Sequence, residues 1–199
     1  MPELPEIEIV KKTLFKMVNK AKIIDIKIIN KNLRYKIPYS FSKNLINEKI
    51  LKISRRSKYL LFHFKKKILL IHLGMTGKLL LMRRKDNMIF KTSFYYDLNI
   101  SLKHNHIYII LSNGLILIYN DVRRFGFFKL FKNVQLNEII FIKKLGPEPF
   151  SKIFNINYFK NFIKNKKKNI KLKEISFLRK LGPEPLNASF NKKYFQKFV

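Results

Sequence analysis

The sequence predicts an α+β fold: an amino-terminal helix, an antiparallel β-sandwich, and a basic helical region after it. Three observations carry that prediction. Ile7, Val10, Leu14 and Met17 recur at helical spacing. A long series of short apolar runs follows, each bounded by basic or turn residues, which is the pattern of a many-stranded sheet. Ser112-Asn113-Gly114 stands between two of those runs. Asn-Gly in that place marks a hairpin, because both central turn residues must accept positive φ.

In chain order, residues 5–19 form the amphipathic helix, packed by one face. Pro5 and Glu6 open it, since Pro suits the first helical position and an acid suits the positive end of the dipole. Strands are expected at Ile23–Ile29, Ile50–Ser54, Tyr59–Phe64, Ile68–Leu73, Lys78–Met82, His106–Leu111, Leu115–Tyr119 and Phe127–Phe131. One helix with this many short strands points to a sandwich. The character changes near residue 132, so 1–131 is expected as one domain and 132–199 as a linker and helical region. There Asn155–Asn169 reads as a helix in which Lys164, Lys166, Lys167 and Lys168 cluster, as a solvated face or as phosphate contacts. Leu145-Gly146-Pro147-Glu148-Pro149 returns as Leu181-Gly182-Pro183-Glu184-Pro185, so that 181–199 repeats 145–163. A solenoid needs three or more units, so two copies indicate a local duplication or a disrupted reading frame.

Composition narrows the function. The 199 residues include 43 Lys and Arg against 12 Asp and Glu, a net charge of +31, with 47% hydrophobic residues for a core. Such a surface faces a polyanion, nucleic acid first and anionic membrane second. An AT-rich genome, which favours Lys, Ile, Asn and Phe codons, is the competing source of part of that charge. The absence of Cys excludes disulfides and thiolate zinc sites. The four His are scattered, with no pair at helical ligand spacing on an expected helix, and the alternation of His104 and His106 near a strand is only weak evidence for a metal. No apolar run reaches membrane-span length, and the amino end lacks a signal-peptide pattern, so a cytoplasmic protein is expected.

Four segments bear chemistry. With Met1 removed, Pro2 presents a free secondary amine next to Glu3 and near Glu6. A terminal amine has a pKa near 8, so part of it is unprotonated at neutral pH and can attack an aldehyde carbon to give an iminium, with carboxylates moving the protons. The competing reading is an ordinary helix opening. In Arg55-Arg56-Ser57-Lys58-Tyr59, a Lys in a bend is aimed at a phosphate or at the reacting sugar, or only protects a sheet edge. His72-Leu73-Gly74-Met75-Thr76-Gly77 displays Met75 on a glycine-flanked turn, to fill space left by an extruded base or as a buried core Met. Asp121-Val122-Arg123-Arg124-Phe125-Gly126 sets two Arg beside a Phe. Arg suits bidentate contacts and Phe can wedge between base pairs, unless the Phe belongs to the core.

Together with Ser57-Lys58-Tyr59-Leu60-Leu61, Lys103-His104-Asn105-His106, Ser112-Asn113-Gly114 and Leu145-Gly146-Pro147-Glu148-Pro149, these segments resemble the formamidopyrimidine-DNA glycosylase family. They occur in the family's order over about residues 2–171. Leu4 favours this branch over the related endonuclease VIII branch, which has Gly there. The resemblance implies a base-excision repair enzyme that removes oxidised purines such as 8-oxoguanine and formamidopyrimidines from damaged double-stranded DNA, with abasic-site lyase activity through a Schiff base. Pro2 would be the nucleophile. Glu3 would assist ring opening and proton transfer, Glu6 would position the amino-terminal region, and Lys58 would bind phosphate near the lesion. Met75, Arg123 and Phe125 would fill the gap left by the flipped nucleotide, and Arg124 would hold phosphate. His72, His104 and Lys171 lie in matching segments and would add DNA contacts.

The match runs through Asn169-Ile170-Lys171 and then stops. The resemblance therefore implies an incomplete helix–two-turn–helix region, with no zinc finger, no metal and no cofactor. A bacterial, cytoplasmic monomer that associates with the nucleoid through DNA is expected, with no membrane partner. Two other readings stay open: a catalytically impaired remnant that binds nucleic acid nonspecifically, and an unrelated β-rich RNA-binding protein.

Overall fold

The computed structural model describes residues 2–93, 100–148 and 151–164. The chain divides into two compact units, Met1–Glu148 and Pro149–Val199. The first opens with helix α1, Leu4–Val18, whose buried face is Ile7, Val10, Leu14 and Val18. Met17 is exposed and Val18 takes its expected place in the core, because 7, 10, 14 and 18 keep closer to a 3.6-residue turn. Each fully buried Val, Leu or Ile contributes about 1.5–3 kcal/mol of transfer free energy, which ties α1 firmly to strand β2.

Among the described residues, nine strands form two antiparallel sheets, bearing out the expected α+β sandwich. They are β1 (Ile23–Ile28), β2 (Lys52–Arg56), β3 (Tyr59–His63), β4 (Lys67–His72), β5 (Lys78–Arg83), β6 (Ile89–Lys91), β7 (Asn105–Leu111), β8 (Leu115–Asn120) and β9 (Phe127–Lys132). One sheet has the order β1-β7-β8-β5-β6 and the other β2-β3-β4-β9. Several short elements were not expected, among them the helix α2 (Phe41–Leu45), which buries Phe41 and Leu45, and the three-residue edge strand β6. β2 is displaced by two residues from its expected span and runs through Arg56, because its pairing with β3 continues to Arg56↔Tyr59. The β7–β8 connection also differs. Only Gly114 takes positive φ there, at +79°, so the loop has three residues with glycine at its left-handed position rather than two left-handed residues.

β3 and β4 bury consecutive residues because the four-stranded sheet is covered on both faces. Leu60, Phe62, Leu69 and Ile71 join the main core, while Leu61 and Leu70 join a second cluster with Phe127, Ile139 and Ile142. Ile139 precedes and Ile142 lies in helix α3, Ile140–Lys143. The segment after β9 therefore lids the outer face of this sheet. In the second unit, helix α4 spans Ile156–Lys164. The rest of the expected 155–169 helix, the Lys166–Lys168 cluster, Lys171 and the 181–199 repeat lie outside the described residues. No helix among the described residues is long and apolar enough to cross a membrane.

Candidate nucleic-acid interface

Sheet register gathers the candidate residues at one end of the sandwich. Arg56, Tyr59, His72 and Phe127 are successive cross-strand partners and form a row across the four-stranded sheet. Beyond that row lie the Ser57-Lys58 turn, the Gly74–Gly77 turn and the Asp121–Gly126 loop. The other sheet ends in a parallel row, Lys78, Asn120 and Asn105, and His104 precedes it in a short 3-10 turn, Leu102–His104.

Glu3 caps α1 in an extended conformation, with Pro2 half-buried before it and Glu6 half-buried in the first helical turn. The Glu3 carboxylate meets the Lys58 ammonium at 2.7 Å. Residues distant in sequence thus place a carboxylate and an ammonium together next to Pro2.

Lys58 is carried by a two-residue turn in which Ser57 has φ +50°. Left-handed backbone at a non-glycine residue costs about 1–2 kcal/mol, so something must hold it. Glu148, from the Leu-Gly-Pro-Glu-Pro segment, accepts the Ser57 N–H at 2.7 Å, Arg56 Nη1 at 2.8 Å and Arg55 Nη1 at 3.0 Å. Arg56 also donates to the Gly146 carbonyl. Arg55 bridges on to Glu8 of α1, its Nε lying 2.9 Å from Oε2. Burial alone would raise the Glu8 and Glu148 carboxyls. For Glu8, hydrogen bonds from Lys11 and Arg55 outweigh burial; for Glu148, those from the Ser57 N–H, Arg56 and Arg55 do so, and both carboxyls sit below the ordinary glutamate value. Arg55 is likewise raised: its two carboxylate partners overcome burial.

The other two loops share one buried anion. Asp121 is fully buried. Its Oδ1 accepts the Thr76 hydroxyl at 2.5 Å and the Arg123 N–H at 3.2 Å, and its Oδ2 accepts the Tyr119 hydroxyl at 2.7 Å and the Gly126 N–H at 3.0 Å. A single carboxylate thereby fixes the turn bearing Met75 and the loop bearing Arg123, Arg124 and Phe125. Backbones meet closely: a Cβ on Gly74 would lie 2.5 Å from Gly126 N, and Gly74 has φ +70°. Arg124 is left-handed at φ +58°.

Met75 is 42% and Phe125 43% exposed, which removes the core reading of both. The Arg123 guanidinium lies 4.5 Å from the Phe125 ring centroid, a cation–π contact that stiffens both side chains. Together with Asn32, Leu33, Arg34 and Arg124 they line an open groove of about 610 Å³. The Arg34 N–H donates to the Gly126 carbonyl at 3.2 Å. Arg34 was not found from the sequence, since a lone Arg in a β1–α2 connection carries no signal.

His72 stacks on Phe127 with centroids 5.3 Å apart. Burial, then the charges of Arg34 and Lys58, push its pKa down, so the ring is neutral at pH 7. Nδ1 accepts the Gly74 N–H at 3.1 Å, which leaves the proton on Nε2 as a donor. His104 contributes backbone: its carbonyl accepts the Asp121 N–H at 3.0 Å. His106 sits at a bulge opposite β8 and turns inward, its Nε2 2.7 Å from the Asp121 carbonyl. No group of three His, Asp or Glu among the described residues is arranged to hold a metal.

The family model described as Formamidopyrimidine-DNA glycosylase N-terminal domain matches residues 1–128. The chain belongs to this family. Formamidopyrimidine-DNA glycosylases of Bartonella tribocorum and Rickettsia africae are 41% and 38% identical to it, each match covering 84% of this chain, and 57% and 56% of those relatives. The chain thus spans little more than half the length of the curated glycosylases it matches. Among solved structures, the Lactococcus lactis glycosylase in complex with an abasic site containing DNA aligns with TM-score 0.68 and 31% identity, over 86% of this chain and 60% of that one. The inhibited L. lactis enzyme with a DNA containing N7-benzyl-Fapy-dG aligns at TM-score 0.69 and 32% identity, over 86% and 59%.

Proposed function

We propose that this chain is a DNA glycosylase with abasic-site lyase activity, which excises oxidised purines from double-stranded DNA through a Schiff base at Pro2. The observation that carries the reading is the Glu3–Lys58 pair beside Pro2, at the end of the sandwich that also presents Met75, Arg123 and Phe125. A base inside a duplex must be extruded before its glycosidic bond is reachable, so a nucleophile and gap-filling side chains are needed together. The Pro2 nitrogen attacks the sugar C1′ and the bond from C1′ to the base breaks, its electron pair leaving with the base, which takes a proton from water, while the Glu3 carboxylate accepts the proton shed by the alkylated amine. The ring oxygen then leaves C1′ and takes that proton back from Glu3, giving the iminium. Loss of a C2′ proton expels the 3′ phosphate, and water hydrolyses the remaining adduct to free Pro2. Glu6 positions the amino-terminal segment. Lys58 and Arg124 hold phosphate, and neutral His72 offers Nε2–H to the same strand. His104 acts through its backbone contact to Asp121, and Lys171 is proposed as a further phosphate contact. The chain works as a cytoplasmic monomer without metal or cofactor.

The test is to incubate the protein with a duplex carrying 8-oxoguanine or an abasic site and add borohydride. The expected result is a covalent adduct that maps to the Pro2 nitrogen and is lost in Pro2→Gly. No adduct from folded protein with a free Pro2, together with equal affinity for damaged and undamaged duplex, would sink the reading. That outcome would favour the second one, nonspecific binding driven by the net charge of +31.

A further inference from the structure

We propose that Glu148 is a positioning residue for Lys58, and that the Leu-Gly-Pro-Glu-Pro segment sets phosphate binding at the lesion from a distance. The inference rests on the reading that Lys58 binds phosphate. Glu148 contacts the Lys58 turn at each of the three preceding residues: the Arg55 and Arg56 guanidiniums and the Ser57 N–H all donate to its carboxylate. The Ser57 bond matters most, because it holds an N–H that a left-handed serine presents in the direction of the segment. Arg55 Nη1 closes the same turn from inside by donating to the Ser57 carbonyl at 3.0 Å. Both backbone groups of Ser57 are therefore fixed, and the Cα of Lys58 has one place to go.

The link also runs to the other side of the site. Arg55 joins Glu148 to Glu8, on the helix whose first turn follows Pro2 and Glu3. One chain of ion pairs thus aligns the Lys58 turn with the amino-terminal segment, and Glu148 is its anchor. The outer-face lid built by Ile139 and Ile142 brings Glu148 to this position, so the segment's place in the first unit is set by packing rather than by the ion pairs alone.

Duplex binding measured across a salt series tests this without requiring catalysis. Each phosphate contact contributes about 0.9 to the slope of log affinity against log salt. On a duplex with a stable abasic-site analogue, Lys58→Ala should lower the slope by about 0.9. Glu148→Gln should lower it by most of that amount, and the double variant no further than Lys58→Ala alone. Removing a negative charge would by itself strengthen binding, so a fall in slope marks lost positioning. Glu184→Gln, in the second copy of the segment, should leave the slope unchanged. An unchanged slope in Glu148→Gln, losses that add in the double variant, or a loss in Glu184→Gln instead would overturn the proposal, as would an unchanged slope in Lys58→Ala. Borohydride trapping on the unmodified protein is read separately. A missing adduct with these slopes intact would sink the glycosylase reading and leave Glu148 in its role.

Discussion

The Ser57-Lys58 turn and the Asp121–Gly126 loop each contain a non-glycine residue in left-handed backbone, and they are held there by opposite means. The Lys58 turn is locked from outside, by partly exposed ion pairs to Glu148 and through Arg55 to Glu8. The Arg123 loop is locked from inside, by one fully buried carboxylate. Water and salt compete for the first set and have no access to the second. The first turn should therefore respond to conditions, while the second should respond only to mutation.

The sharpest way to break that contrast is Asp121→Asn. An amide offers one acceptor oxygen where four donors converge, so two buried donors lose their partner. The expected loss is about 3–5 kcal/mol of unfolding free energy in urea titration. A loss below about 1 kcal/mol would mean that the loop is held by something other than Asp121. Arg55→Lys should follow at about 1–2 kcal/mol, because one ammonium cannot reproduce a fork that spans Glu8, Glu148 and the Ser57 carbonyl; thermal unfolding in low salt reads it.

Acid should separate the two locks. Glu8 and Glu148 both lie below the ordinary glutamate value. Their contribution is then fully present above about pH 4.3 and is lost as pH falls through the lowered folded-state values. Unfolding curves of the unmodified protein and of Glu148→Gln should differ at pH 6 and converge toward pH 3. Curves that stay parallel would remove the ion pairs as the source of the difference. The smallest stability effects belong to Met75→Ala and Phe125→Ala, within about 0.5 kcal/mol as for other exposed sites. Under the proposed function both should still weaken lesion-duplex affinity, and a calorimetric titration that found neither weakened would argue against gap filling.

Much of this was legible in the sequence, and the reasons differ by element. Periodicity located α1 because one face of it packs, and it erred only in trading Val18 for Met17. The strands β3, β4 and β9 were readable as apolar runs, but nothing in Leu60-Leu61-Phe62 reveals that alternate residues enter different clusters. That depends on Ile139 and Ile142 arriving from a segment with no strong pattern of its own. The short elements α2 and β6 were missed because neither is long enough to repeat its period twice. At the candidate site, Met75, Arg123 and Phe125 were found as a motif, and their exposure is what a motif cannot supply. Asp121 stood in the quoted segment without a role, since a buried carboxylate and a surface one look alike in sequence. Arg34 and Glu148 became meaningful only through contacts across the fold.

The shared carboxylate has a dynamic consequence. Thr76, Arg123 and Gly126 report to the same two oxygens, so neither loop can open while the other stays shut. The Arg123 and Gly126 amides should exchange their hydrogens with solvent at one common rate, as members of a single cooperative opening unit. Under the proposed function, Met75 and Phe125 would then enter or leave a duplex in one concerted movement rather than in turn.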